Sequence, residues 1–124
     1  MSTLTQEDLK IIVSAAVGMA TQDHKLKGQE RDFLEKLMQK TGVKPEEVEK
    51  NADYKALAKK LSSKKAKQVF MLTIAAVAKA DNELDPSEKH FIMSMAKELD
   101  VGIIDVERHS HTILEKMALD HLSD

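Results

Sequence analysis

The chain of 124 residues has no cysteine and no tryptophan, and it contains only one tyrosine and three phenylalanines. Without cysteine it cannot form a disulfide, a zinc–thiolate site or a thiol nucleophile. Strands usually carry more aromatic and β-branched residues than this, whereas a core of Leu, Ile, Val, Ala and seven Met is typical of helices. These shortages therefore favour an all-α fold.

Long hydrophobic runs are also missing. Residues 11–20 and 69–78 are almost wholly apolar, but each run has only about half the length that a membrane-spanning helix needs. The first residues lack the basic flank of a signal peptide. We therefore expect a cytoplasmic protein without a transmembrane segment, and the chain length predicts a single domain, residues 1–124.

The chain contains an internal repeat at a constant offset of 58 residues, without a gap. The sequence DHKLKGQE at residues 23–30 recurs as DNELDPSE at 81–88, and Phe33 recurs as Phe91. The offset predicts two pseudo-symmetric halves, repeat one at about 9–50 and repeat two at about 67–108, followed by a C-terminal helix to about residue 122.

Helical periodicity and capping signals predict about seven helices and no strand. Thr5 and Asp8 have the spacing of an N-cap that opens a helix to about residue 22. A second helix over about 63–79 has the same character, because both are apolar on most sides. We expect these two helices to pack against each other at the centre of the fold.

Proline and glycine mark further helix boundaries. Gly42 is predicted to end a helix over 29–40 in the left-handed conformation. Pro45 and Pro86 each suit the first position of a helix, where the missing N–H is not needed.

Each repeat holds an acidic junction between two helices. It can be explained without a ligand, because Asp85 and Glu88 have the spacing of a capping box. A second interpretation is a Ca²⁺, Mg²⁺ or Mn²⁺ site, since these ions prefer carboxylate oxygens and Asp81 meets the negative end of the preceding helix. The spacing is not that of an EF-hand. The candidate metal ligands are Asp23 and Glu30 in the first junction and Asp81, Glu83, Asp85 and Glu88 in the second.

Charge is segregated along the chain. Residues 54–80 contain seven lysines and no acid, whereas residues 81–107 contain eight carboxylates and two lysines. A solvated face is the simplest explanation of the lysines, and docking to an acidic protein partner is the favoured functional one. Nucleic acid is the less suitable partner, because arginine and stacking aromatics are lacking beside the run. The candidate residues are Lys55, Lys59, Lys60, Lys64, Lys65 and Lys67.

The repeated junction resembles that of the TerB-like family. The resemblance rests on the Ala-x-x-Asp start, the turn leucine, the glutamate seven residues after the aspartate, the following phenylalanine and the duplication itself. It extends over roughly residues 9–122. It implies two pseudo-symmetric helical halves, a cytoplasmic location, an acidic surface that binds a divalent metal, and a role in stress, tellurite or metal resistance through protein partners, often at the membrane.

No enzyme motif is evident, because the chain lacks a phosphate-binding loop, GxSxG and HExxH. We therefore predict a non-enzymatic interaction module. Two alternatives stay open. One is a metal-dependent hydrolase or phosphotransfer enzyme centred on residues 81–88, which a concave pocket beside those carboxylates would favour. The other is an adaptor that binds anionic lipid or nucleic acid through the lysine run.

Overall fold

The computed structural model describes residues 4–20, 28–48, 54–80, 86–98 and 111–122, and these ranges contain six α-helices, one 3₁₀ helix and no strand. The predicted all-α fold is confirmed, and the expected number of about seven helices is reached when the 3₁₀ helix is counted. The elements are α1 Gln6–Ala20, α2 Gly28–Thr41, the 3₁₀ helix Pro45–Glu47, α3 Tyr54–Ala58, α4 Lys64–Ala80, α5 Pro86–Glu98 and α6 His111–Leu122.

Helix α4 lies at the centre of this bundle. Every residue from 69 to 78 is buried, and the helix packs against α1, α2, α5 and α6. The buried Thr73 satisfies its hydroxyl within the helix, by donating to the carbonyl oxygen of Val69 at 2.8 Å. Neighbours on all sides explain why the sequence of α4 is apolar all round rather than along one stripe.

Helix α1 packs against α4, as predicted, and also against α2 and α3. Its continuously buried stretch covers residues 11–16, shorter than the stretch in α4. The difference follows from the neighbours, because α4 packs against the twelve-residue α6 in addition to α1, α2 and α5, whereas the third neighbour of α1, besides α2 and α4, is the five-residue α3. The two apolar helices therefore occupy equivalent positions in the repeat, but α4 is buried over a longer stretch than α1.

The helix boundaries reproduce the sequence offset of the repeat. Helices α1 and α4 begin at residues 6 and 64, and helices α2 and α5 begin at residues 28 and 86, so both pairs are separated by 58 residues. Phe33 is buried at its position in α2. Phe91, at the equivalent position of α5, packs edge-to-face on Phe70, with ring centroids 6.5 Å apart and planes at 69°. The outer limits of the repeats stay a prediction.

The start of α1 is held by a reciprocal capping box. The N–H of Asp8 donates to Thr5 Oγ1 at 3.0 Å, and the N–H of Thr5 donates to Asp8 Oδ2 at 3.2 Å. The predicted cap is thus confirmed. The same carboxylate also accepts the Ser62 N–H at 3.1 Å and the Ser62 hydroxyl at 2.7 Å, which ties α1 to the turn between α3 and α4.

These hydrogen bonds determine the charge state of the buried carboxyl. Burial raises the pKa of Asp8, but the hydrogen bonds from Ser62 and Thr5 outweigh burial and hold this pKa below its ordinary value. Asp8 is therefore an ionised group in the folded protein, although its side chain is withdrawn from solvent.

Helix α2 ends as the sequence predicts. Gly42 has a positive φ of 75°, and its N–H donates to the carbonyl oxygen of Met38 at 2.9 Å. No atom lies within 4 Å of a Cβ placed on Gly42, so a side chain there meets backbone strain but no steric clash.

Replacing Gly42 with alanine is expected to lower the free energy of unfolding by about 1 kcal/mol, because a Cβ disfavours the left-handed backbone. Gly42→Asn is expected to cost less, since asparagine tolerates this conformation. Urea denaturation of the three proteins measures both values. An equal loss for Ala and Asn would contradict the explanation, because it would mean that the left-handed backbone does not set the cost.

Candidate functional site

The two acidic junctions connect α1 to α2 and α4 to α5. Their central residues, 21–27 and 81–85, lie outside the described residues. Glu30 and Glu88 lie in the first turns of α2 and α5, but their side chains are likewise outside the description. The other four predicted metal ligands, Asp23, Asp81, Glu83 and Asp85, fall within the two gaps. A metal site at either junction therefore stays a prediction.

The described helices still define the setting of the second junction. Helix α4 ends at Ala80 and α5 begins at Pro86, so a connection of only five residues carries Asp81, Glu83 and Asp85. Pro86 occupies the first helical position, as predicted. The donor set is made of carboxylates alone, which suits a hard divalent cation. Within the described ranges, no group of three or more His, Asp or Glu side chains is placed to hold a metal ion.

The predicted lysines lie on α3, on the first turns of α4 and on the turn between these helices. Two of them contact α5. Lys55 Nζ donates to Ser87 Oγ at 3.2 Å, and Lys67 Nζ lies 3.9 Å from Glu98 Oε1. The Glu98 side chain is 71% exposed, so this ion pair adds little to stability.

The remaining lysines differ in exposure. Lys59, Lys60 and Lys64 are exposed, whereas Lys65 is half-buried. We call Lys59, Lys60 and Lys64 the turn lysines, because the first two lie in the connection between α3 and α4 and the third is the first residue of α4. The α4 end of this connection is fixed by Ser63, whose hydroxyl accepts the N–H of Ala66 at 3.1 Å.

Charges at the two ends of α4 oppose its helix dipole. The first turn of α4 contains no acid and begins with Lys64 and Lys65, while three acidic residues, Asp81, Glu83 and Asp85, follow the helix in the sequence. Lys79 in the last turn is a charge of the favourable sign. Each unfavourable charge near a helix end costs about 0.3–1 kcal/mol. A bound anion at the N-terminus of α4 and a bound cation at its C-terminus would each offset this unfavourable interaction.

A cleft of about 220 Å³ lies between α1, the 3₁₀ helix and α3. Its floor is formed by the buried residues Ile11, Ser14 and Leu57. The sequence gives no signal for this cleft, because three separate segments form it. None of the predicted metal ligands lines it, so it does not favour the hydrolase alternative. The rim consists of Glu7, Lys10, Glu47 and Lys60.

These features define a class of protein, a small all-α bundle built on a duplicated helix pair. Within the described ranges, no helix combines the length and the apolar character required to cross a membrane. The family model described as tellurite resistance protein TerB matches residues 46–111, more than half of the chain. The chain therefore belongs to the TerB family, which confirms the predicted family resemblance; the predicted extent over residues 9–122 stays a prediction. No curated protein and no solved structure matches it.

The extent of the family match separates the two junctions. Residues 46–111 run from the 3₁₀ helix to the first residue of α6, and so include the whole lysine run and the second acidic junction. The first junction, residues 21–27, lies outside the match. The second junction is therefore the one for which family membership bears on function.

Proposed function

We propose that the chain is a non-enzymatic, cytoplasmic interaction module that serves in resistance to tellurite or in a related metal or stress response. In this proposal it binds a divalent cation at the second acidic junction and acts through protein partners, some of them at the membrane. The observation that carries the proposal is the TerB family match over residues 46–111, which includes all four carboxylates of that junction.

The electrostatics of α4 support a cation at this place. Asp81 directly follows the C-terminus of the helix, where the dipole adds negative potential to that of Glu83 and Asp85. A divalent cation bound there would offset the repulsion among the carboxylates and the helix end. The first junction is the weaker candidate, because its sequence includes Lys25 and Lys27, whose positive charges disfavour a bound cation.

Calorimetric titration tests the cation site. Ca²⁺, Mg²⁺ or Mn²⁺ is expected to bind the wild-type protein saturably, whereas Zn²⁺ should bind less well to a site of hard oxygens alone. Binding should be lost in the double variant Asp81→Asn with Glu88→Gln. Bound metal should also stabilise the fold, by about 2.7 kcal/mol at a hundred times the dissociation constant.

The repeat itself provides the matched control. Asp23→Asn with Glu30→Gln makes the same two changes at the equivalent positions, 58 residues earlier, and should leave most of the binding intact. Absence of heat and of thermal stabilisation at millimolar metal would leave the capping box as the role of the junction. A separate experiment tests the role in resistance. In a tellurite-sensitive bacterial host, the wild-type protein should raise tellurite tolerance more than the Asp81→Asn, Glu88→Gln variant.

A further inference from the structure

We propose that Met93 on α5 is a site of reversible oxidation. Hydrogen peroxide transfers one oxygen atom to the Met93 sulfur of the folded protein, so the sulfur loses two electrons, the O–O bond breaks, and methionine sulfoxide and water are formed. A methionine sulfoxide reductase reverses the change: a dithiol is oxidised to a disulfide, and the sulfoxide oxygen leaves as water. The inference goes beyond the proposed function and does not depend on a cation site.

Methionine carries all the sulfur chemistry of this chain, because the sequence contains seven methionines and no cysteine. In a protein with an accessible thiolate, that thiolate would compete for the oxidant. Here the thioethers are the sulfur groups with which a peroxide can react. Their susceptibility follows their exposure to solvent. The burial of each methionine therefore predicts the order in which they are oxidised.

Met93 is the exposed methionine among those whose side chains the structure describes. It is 53% exposed, whereas Met71 and Met95 are 1% and 7% exposed. Met38 and Met117 are partly buried and pack against the hydrophobic core. We therefore expect Met93 to react with peroxide before these four residues.

The geometry of α5 places two methionines in opposite environments. Met93 and Met95 lie two residues apart on this helix and so point to different sides of it. Met95 is buried together with Ile92, whereas Met93 is exposed together with Ser94 and Lys97. Peroxide can therefore reach the Met93 sulfur while the bundle stays closed. The Met95 sulfur becomes accessible only when α5 opens locally, which is a rare event in a folded bundle.

The folded protein can also keep the product of oxidation at residue 93. A sulfoxide is a polar group, and at an exposed position water solvates its oxygen. At Met71 or Met95 the same oxygen would be buried in the hydrophobic core, which favours unfolding. Oxidation of Met93 therefore converts an apolar surface side chain into a hydrogen-bond acceptor and leaves the bundle intact, as a reversible modification requires.

Oxidation kinetics followed by mass spectrometry test the proposal. The full chain is treated with hydrogen peroxide, and tandem spectra of the peptide between Lys89 and Lys97 distinguish the sulfoxide of Met93 from that of Met95. In the folded protein we expect Met93 to react at least about tenfold faster than Met95. In concentrated urea the two rates should become equal, which would show that the fold and not the local sequence causes the difference.

Matched substitutions of the two methionines separate the exposed sulfur from the buried one. Leucine has a similar size but cannot be oxidised, so Met93→Leu should abolish the fast oxidation of this peptide, whereas Met95→Leu should retain it. Glutamine serves as a polar stand-in for the sulfoxide. Met93→Gln should leave the urea midpoint within about 0.3 M of the wild-type value, whereas Met95→Gln should lower it by about 1 M, because it buries a polar group.

Reversibility is measured on the protein oxidised at Met93. Its helical circular dichroism should match that of the unoxidised protein, and reductases specific for the two sulfoxide epimers, with dithiothreitol, should remove the added oxygen. Equal rates for Met93 and Met95 in the folded protein, loss of helical structure on oxidation of Met93, or a sulfoxide that both reductases leave in place would each overturn the proposal. So would the absence of Met93 sulfoxide in protein isolated from reductase-deficient cells exposed to hydrogen peroxide.

Discussion

Replacing Asp8 with alanine is expected to lower the free energy of unfolding by about 3 kcal/mol. The carboxylate is 1% exposed and accepts three hydrogen bonds, from the Thr5 N–H, the Ser62 N–H and the Ser62 hydroxyl. A hydrogen bond to a charged acceptor contributes about 1.5–3 kcal/mol, and the variant also leaves donors without their partner. Urea denaturation at neutral pH measures the loss.

The neighbouring residue provides the control. Glu7 lies in the same first turn of α1 but is exposed, so Glu7→Ala should change stability by only about 0.5 kcal/mol. Ser62→Ala should fall between the two, because it removes the hydroxyl and keeps the backbone donor. If Asp8→Ala costs no more than Glu7→Ala, the buried carboxylate does not join α1 to the turn.

The pKa of Asp8 adds a pH dependence with a defined sign. Since this pKa is lower in the folded than in the unfolded protein, ionised Asp8 stabilises the fold fully above the unfolded pKa, about 4. That contribution is lost as the pH falls through the lower, folded pKa. The stability difference between wild type and Asp8→Asn should therefore be largest near neutral pH and shrink in acid.

Sequence reasoning succeeded where the signal is local. The cap of α1 by Thr5, the left-handed Gly42 and the start of α5 at Pro86 each depend on residues within one turn of the feature. The repeat offset extended this to longer range, since it aligned α1 with α4 and α2 with α5. All these features are properties of single segments or of a pattern that the chain contains twice.

The contacts between distant segments could not be predicted in this way. Ser62 reaches Asp8 across 54 residues, and nothing in its local sequence distinguishes it from Ser63 as a partner. The cleft needs α1, the 3₁₀ helix and α3 to come together, and the contact of Lys55 with Ser87 needs α3 to approach α5. The different burial of α1 and α4 could not be predicted either. The repeat suggested two similar central helices, but packing of α6 makes α4 the more buried one.

Helix α4 also determines how the two predicted sites, the lysine run and the second acidic junction, are related. The turn lysines lie at its N-terminal end and the second acidic junction follows its C-terminal end. Its 17 residues span about 25 Å, so one short ligand would not reach both sites. A helix that is buried from residue 69 to 78 has little freedom to move within the bundle. We therefore expect partner docking and cation binding to depend on the same rigid element.

Replacing Phe70, in the buried part of α4, with alanine is expected to lower the free energy of unfolding by about 4 kcal/mol. The side chain is fully buried, and its ring packs edge-to-face on Phe91 of α5. The loss combines the transfer of a large apolar group with the cavity that remains and with the aromatic contact. Thermal and urea denaturation measure it, with Met93→Ala on the exposed side of α5 as the control, expected to change stability by about 0.5 kcal/mol.

A double-mutant cycle separates the aromatic contact from the cavity. Phe91 is half-buried, so Phe91→Ala alone should cost less than Phe70→Ala, and the two losses should fail to add by about 0.5–1.5 kcal/mol. A Phe70→Ala variant no less stable than Met93→Ala would mean that α4 is not the centre of the bundle. Because only the folded protein holds the acidic junction in place, the same variant should weaken cation binding in proportion to the unfolded fraction.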